Sequence, residues 1–240
     1  MKELLIFDLD GTLIDSKRDL ADSVNAMRMH LGEPLLPDEL VYSYVGNGAA
    51  VLVQRALPGR DEEEIERGLR FFLEYYRDHM LDATTLYPGV REGLDKLLAA
   101  DVKMAVLTNK PVRFSEHLVK GLGLEGHFFR IYGGNSFEEK KPHPKGIELL
   151  MEESGIGRGQ TIMVGDSAVD VLTARNAQVR ACGVSWGFQP ETFAEAPPDF
   201  VIDEMSELVG LLTPDSCLLP TSPSPASHAC TAPRKFPRIR

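Results

Sequence analysis

Cysteine is scarce: Cys182, Cys217 and Cys230 are the only three in 240 residues. That excludes a disulfide framework as the organising principle. Cys182, inside the apolar stretch 179–184, reads as a buried thiol. No run approaches the roughly 20 apolar residues that a bilayer-spanning helix needs. The Met-Lys-Glu start also lacks the apolar stretch of a secretory signal. A soluble protein of the reducing cytoplasm, with no membrane partner, is therefore expected. Positive charge is in deficit, with 26 Lys and Arg against 36 Asp and Glu and a net charge of −10. A polyanionic partner such as nucleic acid is disfavoured. A small phosphorylated molecule is not, because a bound metal can reverse the local field. His30, His79, His117 and His127 show no metal-ligand spacing, and there is no internal repeat.

The most informative residues are Asp8-Leu9-Asp10-Gly11-Thr12-Leu13-Ile14-Asp15, directly after the apolar run Leu4-Leu5-Ile6-Phe7. A buried run ending in two acids and a glycine puts paired carboxylates at the carboxyl end of a strand. In open α/β sheets, ligands bind at that edge. Two carboxylates this close ionise together only when a cation joins them, or else one keeps a proton. A metal site, acid/base chemistry or both follow, against the plainer reading of solvated acids in a glycine turn.

Residues 17–80 read as helical. Ile65, Leu69, Phe72, Leu73, Tyr76 and Met80 recur every three or four residues, the stripe of a long amphipathic helix, and Asp61-Glu62-Glu63-Glu64 supply acid to its first turn. These aromatic side chains read as helical core. From Tyr87 onward short apolar runs alternate with helices. Strands are expected at 102–107, 130–132, 161–164, 179–184 and 200–202, with helices at 89–100, 112–121, 144–154, 167–176 and 204–212. That alternation, joined by a first strand at 3–8, gives an α/β fold with a doubly wound parallel sheet. The expected division is a catalytic core of 1–14 and 85–212, an inserted helical domain at 15–84 and a tail at 213–240. Hinges are expected near 14–17 and 81–88. The tail holds six of the sixteen prolines and few large apolar residues, so it is expected to be disordered.

Four strand ends carry reactive side chains: Asp8 and Asp10; Thr108-Asn109-Lys110; the loop Lys140-Lys141-Pro142-His143; and Gly165-Asp166-Ser167, with Asp170 one helical turn on. Singly, Thr108 and Asp166 could be helix caps and Lys141 a solvated lysine. Together, on one sheet edge, they supply a carboxylate nucleophile, an acid/base, a hydroxyl donor, a fixed cation and metal-binding acids. That is the equipment for phosphoryl transfer through an aspartyl-phosphate.

These segments resemble, in order, the four motifs of the haloacid dehalogenase-like superfamily. The resemblance spans residues 3 to about 212, and within the superfamily the chain is similar to phosphoglycolate phosphatases. The similarity to that branch lies in Val45-Gly46-Asn47-Gly48, in Arg55-Ala56-Leu57 and in Thr108-Asn109-Lys110-Pro111. The resemblance implies a Rossmann-like core with the insert as an α-helical cap, and a small phosphorylated metabolite as substrate. It implies Asp8 as nucleophile and Asp10 as the group that protonates the leaving alkoxide and then deprotonates water. Thr108 and Asn109 would bind phosphoryl oxygens, and Lys141 would neutralise charge. Mg²⁺ would be held by the Asp8 carboxylate, the Asp10 carbonyl and Asp166. Asp170 would bind it directly or orient Lys141. Lys110 is expected to contact phosphate or carboxylate. Selectivity is expected on the cap, at the Gly46–Gly48 turn and Arg55. Trp186 and Phe188 either line the entrance or pack.

The leading expectation is a Mg²⁺-dependent phosphatase with 2-phosphoglycolate as the best single substrate, acting as a monomer or homodimer. A pyrophosphatase, a nucleotide or sugar phosphatase and a phosphosugar mutase are the alternatives within the superfamily. Outside catalysis, a receiver-like phospho-accepting module and a silent scaffold compete. The receiver does not account for Asp10 beside Asp8 or for a 65-residue insert, and the scaffold does not account for the presence of all four motif acids and the lysine.

Overall fold

The computed structural model describes residues 3–212; the expectation for the tail from Thr213 lies outside them. The first strand, β1 (Leu4–Phe7), is wholly buried. The others are β2 (Ile14–Asp15), β3 (Thr85–Leu86), β4 (Lys103–Leu107), β5 (Arg130–Tyr132), β6 (Thr161–Gly165), β7 (Arg180–Val184) and β8 (Phe200–Ile202). Six form one parallel sheet in the order β5-β4-β1-β6-β7-β8. The helices are α1 (Lys17–His30), α2 (Asp38–Tyr42), α3 (Ala49–Ala56), α4 (Glu62–His79), α5 (Val90–Ala99), α6 (Val112–Gly121), α7 (Lys145–Ser154), α8 (Ala168–Asn176) and α9 (Met205–Leu212). The elements of the core start and end within about two residues of the expected bounds.

Side chains alternate across a strand, and β1 uses both faces. Leu5 and Phe7 join one cluster with Leu94 of α5, Leu118 of α6 and Leu208 of α9. Leu4 and Ile6 join the other with Ile147 of α7 and Val171 of α8. Helices therefore cover both faces, which is the doubly wound arrangement. The register aligns Phe7 with Val106 of β4 and with Val164 of β6. The residues that follow these three strands consequently emerge at one level, on the carboxyl edge where the central strands part.

The insert is helical throughout. In α4, the Asp61 carboxylate caps the helix by accepting the Glu64 N–H at 2.9 Å. Glu62–Glu64 lie at its positive end and Arg77 and His79 at its negative end. Of the expected stripe, Phe72, Tyr76 and Met80 are buried, while Ile65, Leu69 and Leu73 are partly covered. Gly68 lets α4 approach Met27 of α1 and Leu57 closely. Arg28 is buried and donates to the carbonyls of Pro34 and Ala56, tying the two loops of the insert together.

Where the chain leaves and re-enters the core, β2 and β3 form an antiparallel ribbon pairing Ile14 with Leu86 and Asp15 with Thr85. Two-residue strands are too short to show alternation, and no strand was expected there. Beside the ribbon, Asp19 is buried in the first turn of α1. It accepts the N–H groups of Ala83 and Thr84 and the Thr84 hydroxyl at 2.7–3.1 Å. Both connections of the insert are thus clamped to each other. Hydrogen bonds to a buried carboxylate contribute about 1.5–3 kcal/mol each way they are broken. Asp19→Ala is expected to lower stability by roughly 2–3 kcal/mol in urea titrations; a loss below about 0.5 kcal/mol would show that the clamp holds nothing.

Candidate active site

The tight turn after β1 brings the first two acids together. The Leu9 carbonyl accepts N–H groups from Leu13 at 3.0 Å and Ile14 at 3.1 Å, turning the chain back on itself. Gly11 sits at φ +81°, and a Cβ there would overlap the Asp166 carboxylate. Only glycine lets this turn press against the acid that follows β6.

Asp8 is buried. One oxygen accepts the Leu9 N–H at 2.7 Å and lies 2.9 Å from the Lys141 Nζ. Lys141 also reaches Asp170 at 2.7 Å. Asp170 takes the Ser167 hydroxyl at 2.8 Å through its other oxygen, closing a capping box at the start of α8. The cap of α8 is therefore Ser167, which leaves Asp166 free of that task. Asp166 accepts the Phe188 N–H at 2.7 Å. Carboxylate oxygens of Asp8, Asp166 and Asp170 all lie within 4.8 Å of one another.

Three buried acids sharing one ammonium leave an excess of negative charge in a poorly solvated place. The titration behaviour follows. Burial, reinforced by Asp170 and only partly opposed by Lys141, pushes Asp8 up to about 6. Burial and the charges of Asp170 and Asp8 push Asp166 well above the usual carboxylate range. For Lys141, burial favours the neutral form, but Asp170 and Asp8 outweigh it and hold the ammonium charged. A cation beside the three oxygens would relieve the excess, and an all-oxygen donor set suits a hard divalent ion.

Asp10 faces a different cation. Both its oxygens lie 2.9 Å from the Lys110 Nζ, and one accepts the Ser16 hydroxyl at 2.5 Å. Lys110 is buried, not solvated; burial disfavours its charge, but Asp10 more than compensates. The two acids of the first motif are thus held by separate lysines.

A cavity of about 50 Å³ lies over these groups, lined on the core side by Asp8, Asp10, Thr108, Lys110 and Asp166, with Tyr76, Leu52 and Val45 from the insert. It has room for a few water molecules. Thr108 is buried at its edge, and its hydroxyl accepts the Lys110 N–H at 3.3 Å. The helix cap is Pro111, so Thr108 does not serve as one.

Asn109 departs from its expected use. Its amide donates to the Gly46 carbonyl at 3.1 Å and to the Lys141 carbonyl at 3.3 Å. It joins insert to core, leaving only its buried carbonyl oxygen without a partner. Lys140 donates to the Asn47 carbonyl at 2.6 Å, and Gln189 donates to the carbonyls of Ser43 and Val45. Core side chains therefore hold the 43–47 segment through the carbonyls of Ser43, Val45, Gly46 and Asn47. Gly48, at φ +86°, would bring a Cβ to 3.0 Å from the Asn109 carbonyl oxygen, so this approach too requires glycine. Gly46 lines the cavity, but Arg55 does not: it is directed at the Tyr44 carbonyl, 3.2 Å away, and lies in a separate surface hollow with Glu191 and Glu195. Phe188 lines the cavity, whereas Trp186 packs beside Tyr87 and donates to the Thr12 carbonyl. Sequence reasoning missed Gln189 and Tyr76; neither stands in a motif.

Residues 5–184 match the sequence model of the haloacid dehalogenase-like hydrolases. The chain belongs to that family. A phosphoglycolate phosphatase of Chromobacterium violaceum is 43% identical over 211 residues, 86% of this chain and 94% of that protein. One of Pseudomonas savastanoi pv. phaseolicola is 42% identical over 238 residues, covering 95% of this chain and 87% of its own length. A crystal structure from Haemophilus somnus 129pt, described as a predicted phosphoglycolate phosphatase, superposes with a TM-score of 0.84 at 32% identity, over 88% of this chain and 98% of that one. A haloacid dehalogenase-like hydrolase with helices inserted after its first strand is thus the shared architecture. Among the described residues no helix is long and apolar enough to cross a membrane.

The buried acid excess predicts a pH effect on the metal-free protein. Asp8 and Asp166 ionise near 3.9 when unfolded and higher when folded. Between those values the folded state binds more protons, so their contribution is fully present below about 3.9 and is lost as pH rises through the folded values. In chelator, Asp166→Asn is expected to be more heat-stable than wild type at pH 7.5 and to lose that advantage near pH 4. Equal thermal midpoints at both pH values would contradict the charge excess.

Proposed function

We propose that this chain is a Mg²⁺-dependent phosphatase of a small phosphate monoester, 2-phosphoglycolate being the best single candidate, acting through an aspartyl-phosphate. The observation that carries the reading is the buried trio Asp8, Asp166 and Asp170 around one Lys141, beside a second acid, Asp10, with its own lysine. The names of the curated relatives support the substrate.

The donor set fits a divalent ion, since two of its three negative charges are left unbalanced by Lys141. Asp8 and Asp166 would hold Mg²⁺, with the Asp10 carbonyl, and Asp170 keeps to Lys141 and Ser167. Bound there, the ion supplies positive charge to the phosphoryl oxygens.

The residues divide the remaining work. An Asp8 oxygen attacks phosphorus, the ester P–O bond breaks and Asp10 delivers its proton to the departing alkoxide. Lys141 balances the charge gathered on Asp8 and the transferring group, and Thr108 donates to a phosphoryl oxygen. Water then attacks the same phosphorus, with Asp10 taking its proton, and phosphate and free Asp8 are released. Core and cap divide at the β2–β3 ribbon, and the cap, seated on Asn109, Lys140 and Gln189, keeps bulk water from the intermediate.

A panel assayed with Mg²⁺ tests this: 2-phosphoglycolate, pyrophosphate, a nucleoside monophosphate and a hexose phosphate. A clear preference for 2-phosphoglycolate is expected, and equal turnover across the panel rejects that substrate. Asp8→Asn should lower kcat by at least about 10³-fold while still folding. Full hydrolysis by that variant rules out an aspartyl-phosphate on Asp8.

A further inference from the structure

Two side-chain atoms of residues lining the cavity are buried without a partner: the Asn109 carbonyl oxygen, which can only accept, and the Tyr76 hydroxyl, which can donate. The Tyr76 hydroxyl is buried and lacks a hydrogen bond of proper geometry, although the Lys110 ammonium lies 4.6 Å from its ring centre. Tyr76 stands mid-way along α4, its ring stacked on Phe72 (5.7 Å between centroids) and met edge-on by Phe114 (5.6 Å). It has little freedom to turn away. A buried hydroxyl without a partner costs about 1–3 kcal/mol, and such groups call for a reason. A phenylalanine would pack the same way without that cost.

Lys110 stands beside Tyr76: its ammonium reaches both oxygens of Asp10 at 2.9 Å and faces the tyrosine ring, so the two polar groups form one cluster. The Tyr76 hydroxyl carries its own proton to donate. One donor comes from the cap and the other from the core, and both line the same cavity.

We infer that Tyr76 and Lys110 together form the recognition site for a carboxylate on the leaving alcohol, restricting the enzyme to short phosphate esters of hydroxy acids. The inference rests on the proposed phosphatase reading and on Asp10 serving the leaving oxygen. If Asp10 contacts that oxygen, the group one carbon further on lies beside the Nζ that already touches Asp10 at 2.9 Å. A carboxylate there accepts from the Lys110 ammonium and from the hydroxyl of Tyr76. A neutral alcohol answers neither. Selectivity then resides at a helix of the cap and one lysine of the core, away from the exposed Arg55.

Two readouts test this, using the full chain. In hydrolysis with Mg²⁺, wild type is expected to favour 2-phosphoglycolate over ethyl phosphate. Tyr76→Phe should cut kcat/KM for 2-phosphoglycolate by about 10–100-fold and change that for ethyl phosphate by less than about threefold. Lys110→Met should erase the preference. Equal losses on both esters mean that Tyr76 only supports the fold, and overturn the inference. The second readout is calorimetric titration of the metal-free protein with each ester. Tighter binding of 2-phosphoglycolate, lost in Tyr76→Phe, supports the carboxylate site; equal affinities for the two esters reject it. If wild type hydrolyses neither ester yet binds 2-phosphoglycolate selectively through Tyr76, the phosphatase reading fails and the carboxylate site stands. In the absence of ligand, Tyr76→Phe should melt at a temperature no lower than wild type, because the change removes an unpaired hydroxyl. A lower midpoint would assign Tyr76 a structural bond instead.

Discussion

Three carboxylates compete for one ammonium at the end of the central strand, and much of the surrounding structure answers to that imbalance. Lys141 cannot neutralise Asp8, Asp166 and Asp170 at once. Asp170 is additionally steadied by Ser167, Asp166 by the Phe188 N–H and Asp8 by the Leu9 N–H. Each of these donors comes from the loop that follows a parallel strand or from the turn closing over it. The sheet is thus a device for stacking strand ends at one height, and the loops supply the dipoles that keep like charges together. Net stability of a domain is only about 5–15 kcal/mol, so a charge excess of this kind is a serious draw on the apolar layers beneath. The wholly buried β1, with a cluster on each face, stands where that support is needed.

The placement of Asp10 on a different lysine separates two kinds of electrostatic work within a dipeptide step. Asp8 shares its cation with other acids, and its environment raises its affinity for a proton. Asp10 has Lys110 and the Ser16 hydroxyl to itself. The two cations come from different loops, after β4 and before α7.

The core was legible in the sequence because its signals are local. A short apolar run followed by an acid or threonine marks a strand end wherever it stands, and the three at Asp8, Thr108 and Asp166 suffice to name the sheet edge. The individual roles beyond those ends were less legible. Tyr76 falls on the apolar stripe of α4, where a tyrosine in a packed interface and one in a cavity have the same spacing. Gln189 and Asp19 act through carbonyls and N–H groups of segments about 145 and 65 residues away, and no periodicity encodes such a partner. Arg55 was attractive as a cation near a glycine turn, yet its helix turns it to a neighbouring carbonyl. Asn109 was expected to bind a phosphoryl oxygen, whereas its amide is committed to the peptide groups of two other loops, and only its carbonyl oxygen is uncommitted.

The ribbon of β2 and β3 has a consequence for how strong the contacts over the cavity need to be. Because both ends of the helical insert are fixed side by side, its 43–48 loop meets Asn109, Lys140 and Gln189 at an effective concentration set by a short tether, of the order of millimolar or above. Hydrogen bonds of about 1–3 kcal/mol each, the one from the charged Lys140 at the upper end, then suffice to keep the loop seated, and none alone is strong enough to keep it there permanently. Tight closure and rapid release, which would conflict in two free molecules, become compatible in one chain.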